Sequence, residues 1–373
     1  MVGDVSPLPP LTAIPPDLQT LADYERRAEH HVPAATWAHI QAGSAQTLAR
    51  NRAAFERLAL LPRMLTDLRG GHTRLTLFGL EHQAPILFAP VAYHRLVHPE
   101  GELACVRASV AMGVGMVAST LSSVPLEAIA AAARDAARAL GVALPPLWFQ
   151  LYLQEDRAVS AELVARAQAA GYEAIVLTVD ASVKTSGFAL PPGVTAANLR
   201  AGADRRQTSV PGSRILFGTP LADGAPTWAD VAWLRAQTRL PVILKGLLAA
   251  DDARIAVSHG ADAIIVSNHG GRTLDGAPSA LDVLPAMLAA AGAVPLLVDG
   301  GVRTGPDIVK ALALGATAVL VGRPQLHGLA VAGMAGAAHV AHILRAELEL
   351  AMAQLGCPTL DRIGPACLLP RSS

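Results

Sequence analysis

The sequence predicts an α/β protein built as a (β/α)8 TIM barrel, and two observations support that prediction. Eight short runs, apolar or rich in β-branched residues, recur along the chain in the pattern of strands buried on both faces. Between them lie segments with helical periodicity that proline or threonine opens and glycine closes. Such alternation is typical of this barrel, and a doubly wound open sheet is the alternative fold. The predicted strands are 86–90, 114–118, 147–152, 174–179, 241–245, 263–267, 295–299 and 317–321.

The chain outside this repeat divides into three regions. Residues 1–18 are rich in proline and are predicted to form an extended or disordered arm. Residues 19–373 are expected to be a single domain, which begins with a helical prelude over about 19–80 that ends in a capping hairpin. The prelude should contain two or three helices, broken at Pro33 and Gly43. A long aperiodic loop after the fourth strand, about 181–227, is typical of a lid over an active face.

The composition is that of a folded protein with a large core. Among 373 residues, 52% are hydrophobic and 16% are charged, which excludes an intrinsically disordered chain. Basic and acidic residues each number 30, so no overall field favours nucleic acid or an anionic membrane. Proline, glycine or a charge interrupts every apolar stretch, and the N-terminus lacks the features of a signal peptide. We therefore expect a cytoplasmic protein with no nucleic-acid or membrane partner.

Cysteine usage and one alanine-rich segment complete this picture. The three cysteines are odd in number and form no closely spaced ligand pairs, which argues against a disulfide scaffold and a zinc site. His94 and His98 have the spacing of metal ligands but lack a third ligand, so we predict no metal. The segment 337–354 is either packed in the outer ring of helices or a subunit contact, and we expect a homo-oligomer.

Polar residues or glycines follow nearly every predicted strand. In a (β/α)8 barrel the carboxyl ends of all strands face one cavity, where active sites are assembled. So many polar strand ends in register favour a catalytic site over core packing. The strand-end residues are Pro90, Val91, Ala92, Ser119, Gln150, Tyr152, Thr178, Asp180, Lys245, Ser267, Asp299, Gly300, Gly301, Gly322 and Arg323.

The loop after the sixth strand has the most reactive composition, Ser267-Asn-His-Gly-Gly-Arg. His269 titrates near neutral pH, and Arg272 can bind a carboxylate through two parallel hydrogen bonds. The two glycines permit a tight turn or a close approach to a ligand. Taken alone, the motif is more typical of a structural turn around a hydrogen-bonded histidine, and the other strand ends favour the catalytic interpretation.

Glycine-rich turns after the seventh and eighth strands predict an anion site. Backbone N–H groups at such turns point at a phosphate, and Arg303 and Arg323 would add charge-assisted hydrogen bonds. Asp299 can accept a hydrogen bond from a sugar-like hydroxyl. Lys245 would be costly to bury unless it neutralises an oxyanion or an electron-rich ring. Helix capping is the alternative explanation of the turns.

Seven motifs together resemble the FMN-dependent 2-hydroxy acid oxidase and dehydrogenase family, which includes glycolate, lactate and mandelate oxidases. They are Pro90-Val-Ala, Gln150-Leu-Tyr, Leu177-Thr-Val-Asp, Leu244-Lys-Gly, Ser267-Asn-His-Gly-Gly-Arg, Asp299-Gly-Gly-Val-Arg and Gly322-Arg-Pro. Pro90-Val-Ala-Tyr and Phe188-Ala-Leu-Pro are most similar to the mandelate and hydroxymandelate oxidases. The resemblance implies FMN as cofactor and oxidation of an L-2-hydroxy acid, with an aromatic, mandelate-like acid as a candidate. The reduced flavin would pass its electrons to O2 or another acceptor.

The resemblance also implies a role for each site residue. His269 would take the proton from the substrate, and Asp180 would stabilise the resulting imidazolium. Arg272 and Tyr152 would hold the substrate carboxylate or hydroxyl, and Lys245 would stabilise negative charge on the reduced flavin. The implied flavin contacts also include Pro90, Val91, Ala92, Ser119, Gln150, Thr178, Ser267, Asp299, Gly300, Gly301, Arg303, Gly322 and Arg323.

Two features depart from the family pattern. Members usually continue from the Thr-Val-Asp strand into a Gly-x-Arg segment that grips the substrate carboxylate, whereas the loop after Asp180 is shorter and lacks that arginine. Lys184 is a candidate replacement, although a flexible point charge does not reproduce a planar fork. His39, a candidate substrate contact, falls at a position that is often tyrosine. Three alternatives stay open: an FMN-barrel enzyme with a non-standard substrate, a flavin-binding protein with little turnover, and a sugar-phosphate isomerase.

Overall fold

The N-terminal part of the chain forms three helices and a hairpin before the barrel begins. The computed structural model describes residues 6–183, 187–199 and 216–369. The first elements are α1 (Leu21–Ala28), α2 (Ala34–Gln41), α3 (Ala45–Glu56), β1 (Leu75–Leu77) and β2 (Leu80–His82). Thr20 begins α1 with a capping box, in which its side chain and that of Asp23 each satisfy the other's backbone N–H. β1 and β2 pair antiparallel, as the sequence predicts for this hairpin.

Eight parallel strands close into a barrel, which confirms the predicted fold and excludes the open sheet. The strands are β3 (Ile86–Phe88), β4 (Gly115–Ser119), β5 (Leu147–Leu151), β6 (Ile175–Thr178), β7 (Val242–Leu247), β8 (Ala263–Val266), β9 (Leu296–Asp299) and β10 (Ala318–Val321). Each strand pairs with its neighbour in sequence, and β10 pairs with β3 to close the ring.

Helices surround this barrel, and several of them end at a glycine in the left-handed conformation. Gly113, Gly141 and Gly171 adopt positive φ at the ends of three successive helices, where a side chain would be strained. The helices are α4 (Glu102–Met112), α5 (Leu126–Leu140), α6 (Arg157–Ala170), α7 (Pro220–Asp223), α8 (Trp228–Gln237), α9 (Ala250–Ser258), α10 (Ala280–Ala291), α11 (Gly305–Ala313) and α12 (Arg323–Gln354).

The two faces of the barrel strands bury different apolar clusters. Side chains such as Val117, Trp148 and Ile265 fill the interior, while the alternate residues pack against the outer helices. The hairpin closes the amino end of the barrel, where the ring of Phe78 lies 5.8 Å from that of Trp148. Because this end is closed, the carboxyl ends of the strands are the accessible face of the barrel.

Helix α12 is, within the described residues, the one helix long and apolar enough to cross a membrane by length and composition alone. Its backbone is non-helical at Ala332 and Gly333, so it consists of two shorter helices. In the most apolar 18-residue window of α12, 61% of the window is buried in the protein. The helix contacts α1, α4 and α11. The apolar composition of α12 therefore reflects packing in the protein core.

The proline-rich arm contacts the body of the protein where it is described. The backbone N–H of Leu8 donates to the carbonyl of His30, and that of Leu11 donates to Val331. Leu18 is buried just before α1. Residues 8–18 thus run along the surface beside α12.

Candidate active site

His269 and Asp180 form the centre of the site at the carboxyl end of the barrel. Nδ1 of His269 lies 2.8 Å from Oδ1 of Asp180, and Nε2 lies 3.5 Å from the hydroxyl of Tyr152. His269 has a positive φ of 57°, unusual for a residue with a side chain. Its backbone N–H donates to Oγ of Ser267, which holds the turn. The pairing leaves Nε2 as the nitrogen that faces Tyr152, the position required of a proton acceptor.

A bulge in β7 makes room for the Asp180 carboxylate. The register of β7 against β8 shifts between Lys245 and Leu247, and Gly246 between them has a φ of 110°. A Cβ at Gly246 would lie 2.5 Å from both Cβ and Cγ of Asp180. Only glycine therefore allows Asp180 its present position.

Lys245 is buried between two aspartates. Its Nζ lies 2.9 Å from Oδ2 of Asp299 and donates to Oγ of Ser267 at 2.9 Å. Burial alone would lower the pKa of Lys245, but Asp299 and Asp180 outweigh it and raise that pKa above its usual value. Burial likewise favours the neutral form of Asp180, but Lys245 and His269 hold its pKa below the usual range. The site thus contains a protonated lysine and an ionised Asp180.

Polar side chains at the ends of β4, β5 and β6 form an edge beside Lys245. Oε1 of Gln150 accepts from Oγ of Ser119 at 3.1 Å and from the N–H of Thr120 at 3.2 Å, which orients the amide. Among the described residues, Nε2 of Gln150 and Oγ1 of Thr178 are buried without a hydrogen-bond partner. A buried polar group in that state costs about 1–3 kcal/mol, so these atoms are suited to a bound polar molecule.

Three arginines, Arg272, Arg303 and Arg323, lie close enough to influence one another, and Arg272 and Arg323 bond to the C-terminal end of α2. Arg272 donates through Nη1 to three backbone carbonyls there, at 3.0–3.1 Å, and Arg323 donates to two of the same carbonyls and to Gly270. Burial, with Arg272 and Arg303 nearby, lowers the pKa of Arg323 to about 10, so it stays protonated at neutral pH. This concentration of positive charge favours an anionic ligand. The accepting carbonyls of Arg272 belong to His39, Ile40 and Ala42.

The same contacts leave part of Arg272 available. All three carbonyls bind Nη1, and within the described chain Nε and Nη2 of Arg272 make no hydrogen bond to protein. One edge of the guanidinium therefore stays able to bind a carboxylate in parallel. Anchoring through the other nitrogen fixes the plane of that edge.

His39, on α2, contacts the loop that follows the fourth barrel strand. Its ring stacks on Phe188 with centroids 4.2 Å apart and an interplanar angle of 21°. Phe188 lies in the described stretch 187–199 of the lid-like loop. Further along it, Asn198 accepts from the N–H of Leu126 at 2.8 Å, which fastens the loop near the end of β4. Lys184 lies outside the described residues.

The other predicted residues also lie at strand ends. Pro90, Val91 and Ala92 follow β3 and are partly exposed. Ser267 follows β8, and three glycines follow β9 and β10. Arg303 is partly buried, burial lowers its pKa, and its Nη1 donates to the carbonyl of Val302. The residues in these groups are Pro90, Val91, Ala92, Gly300, Gly301, Gly322 and Arg323.

Sequence reasoning missed the contacts that lock the prelude onto the site. Asn51 on α3 and Asn268 exchange two amide hydrogen bonds, at 3.0 and 2.7 Å, and both are buried. Arg52 bonds to the carbonyl of Gly301 and to Asp307. An asparagine among apolar helix positions was the available signal, but it did not identify the partner.

Comparison with known proteins decides the family. Residues 28–370 match the profile of the FMN-dependent dehydrogenases. The chain belongs to this family. It is 49% identical, over 96% of the chain and 100% of the relative, to an L-lactate oxidase of Alicycliphilus denitrificans. It is 46% identical to a 4-hydroxymandelate oxidase of Amycolatopsis orientalis, over 91% of the chain and 95% of the relative.

Solved structures agree with the family assignment. A mandelate oxidase crystallised with (S)-2-phenylpropionate superposes with a TM-score of 0.81 at 43% identity. The match covers 95% of this chain and 98% of the mandelate oxidase. The predicted resemblance, the oxidoreductase class and FMN as the cofactor of the family are thereby confirmed.

The residues at the strand ends fit a flavin mononucleotide. The unpartnered atoms of Gln150 and Thr178 suit the polar edge of a ring, and protonated Lys245 supplies a charge beside them. Oδ1 of Asp299 is also buried without a partner in the described chain, while its Oδ2 binds Lys245. The sequence interpretation of Asp299 as a hydroxyl acceptor therefore applies to one oxygen only.

Proposed function

We propose that this protein oxidises an L-2-hydroxy acid to the 2-oxo acid, with His269 as the base. The observation that carries the proposal is the 2.8 Å contact between Nδ1 of His269 and Asp180, which orients the imidazole. When bound, FMN accepts the two electrons that leave the substrate. His269 Nε2 receives the substrate proton, and the ionised Asp180 stabilises the imidazolium that results.

The remaining residues position the substrate and balance charge. Arg272 presents its unbonded guanidinium edge to the substrate carboxylate, and Tyr152 lies beside His269 for a hydrogen bond to the carboxylate or hydroxyl. Lys245 offsets negative charge that develops on the flavin side, because it stays protonated between Asp299 and Asp180. His39, whose backbone carbonyl accepts from Arg272, forms a stacked pair with Phe188.

We infer the substrate class from the similarity to several kinds of relative. The relatives include proteins named L-lactate oxidase and 4-hydroxymandelate oxidase, so small aliphatic and aromatic acids are both candidates. The stacked rings of His39 and Phe188 favour the aromatic acid, since ring faces pair well with ring edges. O2 is the proposed acceptor because these relatives are named oxidases. A cytoplasmic location and a homo-oligomer stay predictions.

A flavin-binding protein with little turnover is the second candidate. The observation that favours it is the absence of a Gly-x-Arg segment after Asp180. In that case the flavin would bind, but the substrate carboxylate would be held weakly. Substrate oxidation distinguishes the two candidates, whereas flavin content does not.

The test is product formation by the purified yellow protein in air. The bound flavin is first released and identified by mass as FMN, and separate samples then receive each enantiomer of lactate and mandelate, and glycolate. We expect one L-acid to give its 2-oxo acid with matching consumption of O2. FMN content without any oxidation would support the second candidate, and a colourless protein that cannot take up FMN would contradict both. Oxidation of the substrate with an artificial dye as acceptor, but not with O2, would show that O2 is not the electron acceptor.

A further inference from the structure

Two of the three cysteines lie in contact, outside the set of residues that form the candidate active site. Sγ of Cys357 lies 3.6 Å from Sγ of Cys367, and both side chains are buried. Cys357 follows the end of α12, and Cys367 ends the short turn Pro365–Cys367. The third cysteine, Cys105, contacts Gln325 instead. The spacing of the cysteines does not reveal this pair, because ten positions separate the two residues.

The chain between the two cysteines folds so that both thiols approach one carbonyl. The carbonyl oxygen of Arg362 lies 3.3 Å from Sγ of Cys357 and 3.9 Å from Sγ of Cys367. A disulfide bond is about 2.05 Å long, so the sulfurs would have to approach each other by about 1.5 Å. Rotation of the two side chains supplies a movement of that size without unfolding the segment.

The pair lies where the C-terminal segment packs on a connection that is far from it in sequence. Cys367 accepts a backbone hydrogen bond from Leu61 at 2.8 Å, and the adjacent Leu368 pairs with Leu60. A Cβ at Gly356, beside Cys357, would clash with Oγ1 of Thr66. Both cysteines therefore pack on the connection between α3 and β1. A covalent bond here would fasten the C-terminal segment and this connection to α12.

We propose that Cys357 and Cys367 are a redox modification site, which hydrogen peroxide converts to a reversible disulfide. One thiol attacks the peroxide, breaks its O–O bond and becomes a sulfenic acid as water leaves. The second thiol then attacks the sulfenic sulfur, the S–S bond forms and a second water leaves. The two sulfurs lose two electrons and two protons in total, which reduce one peroxide to two waters.

The source of peroxide links this site to the proposed function without making the site depend on it. Oxidation of the substrate with O2 as acceptor produces hydrogen peroxide beside the protein, and that source rests on the proposed function. The disulfide chemistry itself needs only peroxide and the two thiols. An experiment with added peroxide and no substrate therefore tests the site alone.

The surroundings indicate a slow reaction. Burial, and then the neighbouring Cys367, raise the pKa of the Cys357 thiol to about 11. Because the thiolate is the nucleophile, little of the reactive form exists at neutral pH. We expect oxidation over minutes to hours, as for other protein disulfides that form without a catalyst. The site would thus respond to prolonged exposure to peroxide.

The test is peptide mapping of the FMN-loaded protein after exposure to millimolar hydrogen peroxide. Free thiols are blocked with an alkylating reagent, and the protein is digested with trypsin without reduction. We expect peptides 346–362 and 363–371 to appear as one disulfide-linked species that a reducing agent separates. The closed loop should also raise the Tm by about 3 °C. Omission of substrate keeps this result independent of catalysis.

Two variants control the experiment. Cys105→Ser should still form the linked species, whereas Cys367→Ser should not form it and should lose the peroxide-induced rise in Tm. Free thiols after overnight exposure of the native protein would overturn the proposal, as would sulfinic acids without a link. Because the mapping is done on the native chain, a variant that fails to fold does not weaken this outcome.

Discussion

Oδ1 of Asp180 lies 2.8 Å from Nδ1 of His269, a contact that determines which imidazole nitrogen is turned toward Tyr152. The two residues follow different strands, β6 and β8, and are 89 positions apart in sequence. The contact requires that the Asp180 carboxylate is ionised. Burial opposes ionisation, but Lys245 and His269 outweigh it and lower the pKa of Asp180. The proposed chemistry therefore depends on this pair.

Replacement of Asp180 by asparagine should slow catalysis while FMN stays bound. The amide cannot stabilise the imidazolium and can favour the wrong tautomer, so kcat should fall by about 10²- to 10⁴-fold. Steady-state assays with the best L-acid, together with flavin absorbance per protein, measure both effects. Asp251→Asn, at an exposed carboxylate on α9, is the matched control and should leave kcat unchanged. Activity of Asp180→Asn within a few-fold of the native value would contradict the assigned role.

Alanine at Gly246 should disable the site through Asp180. Its Cβ would lie 2.5 Å from the Asp180 side chain, so the carboxylate would have to leave His269. Gly260→Ala is the control, since Gly260 also has a positive φ, of 80°, but a Cβ there would meet no atom within 4 Å. Both variants should lose about 1–2 kcal/mol of stability from the backbone strain, but only Gly246→Ala should lose activity by about a hundredfold or more. Equal activities would show that the bulge does not position Asp180.

Methionine at Lys245 should destabilise the protein because it leaves buried carboxylates without their cation. We expect a loss of about 3–5 kcal/mol in the free energy of unfolding, as for other broken buried pairs. The double variant Lys245→Met, Asp299→Asn should recover most of that stability, since the neighbouring charge is also removed. Neither variant should reduce its flavin at the native rate. Denaturant unfolding and anaerobic mixing measure the two properties, and a fully active double variant would exclude a role for Lys245 in catalysis.

Lysine at Arg272 should weaken recognition of the carboxylate more than it changes the fold. A point charge cannot present a planar edge, so KM for the L-acid should rise by about tenfold or more. The neutral amide of the same hydroxy acid provides the comparison, because it lacks the carboxylate. The native protein should prefer the acid strongly, and the variant should lose most of that preference. If the ratio of kcat/KM for the acid to kcat/KM for the amide were the same in the variant and the native protein, Arg272 would not be the residue that binds the substrate carboxylate.

The stability of the protein should fall as pH rises through the range where Glu173 ionises. Burial raises the pKa of Glu173 from 4.5 to about 7. Between these values the folded protein binds a proton more tightly than the unfolded chain, so folding is favoured at low pH and this advantage is lost by about pH 7. Glu173→Gln should therefore flatten the decline of Tm from about pH 5 to about pH 8 and raise Tm at the upper end. Glu162→Gln, at an exposed position on α6, is the control and should leave the decline of Tm with pH unchanged. Parallel curves for native protein and Glu173→Gln would contradict the prediction.

The barrel was predictable from sequence because each strand is buried on both faces. Strands such as Ala263–Val266 and Leu296–Asp299 are buried throughout, so polar residues occur only at their ends. The change from apolar to polar residues therefore marks the strand ends in the sequence. The same topology predicts that Lys245 and Gln150, on neighbouring parts of one ring, face a common cavity. Local pattern and fold geometry are sufficient for both conclusions.

The partners of particular side chains were not predictable in the same way. The burial of Lys245 was expected to require a ligand, whereas Asp299 supplies the first counter-charge. The three carbonyls that anchor Arg272 lie at the end of α2, and no periodicity in the prelude identifies them. The contact of Cys357 with Cys367 likewise depends on how two short turns fold back. Such contacts follow from tertiary packing, which one sequence does not specify by pattern.

The most direct test of the proposed chemistry is anaerobic reduction of the bound flavin in native protein and in His269→Gln, each loaded to the same FMN content. The native protein should lose its visible absorbance rapidly with one L-2-hydroxy acid and not with the D-enantiomer. His269→Gln should keep its flavin spectrum and lose absorbance more slowly by about a hundredfold or more, since the base is gone. Bleaching of His269→Gln at the native rate would contradict the assignment of His269 as the base.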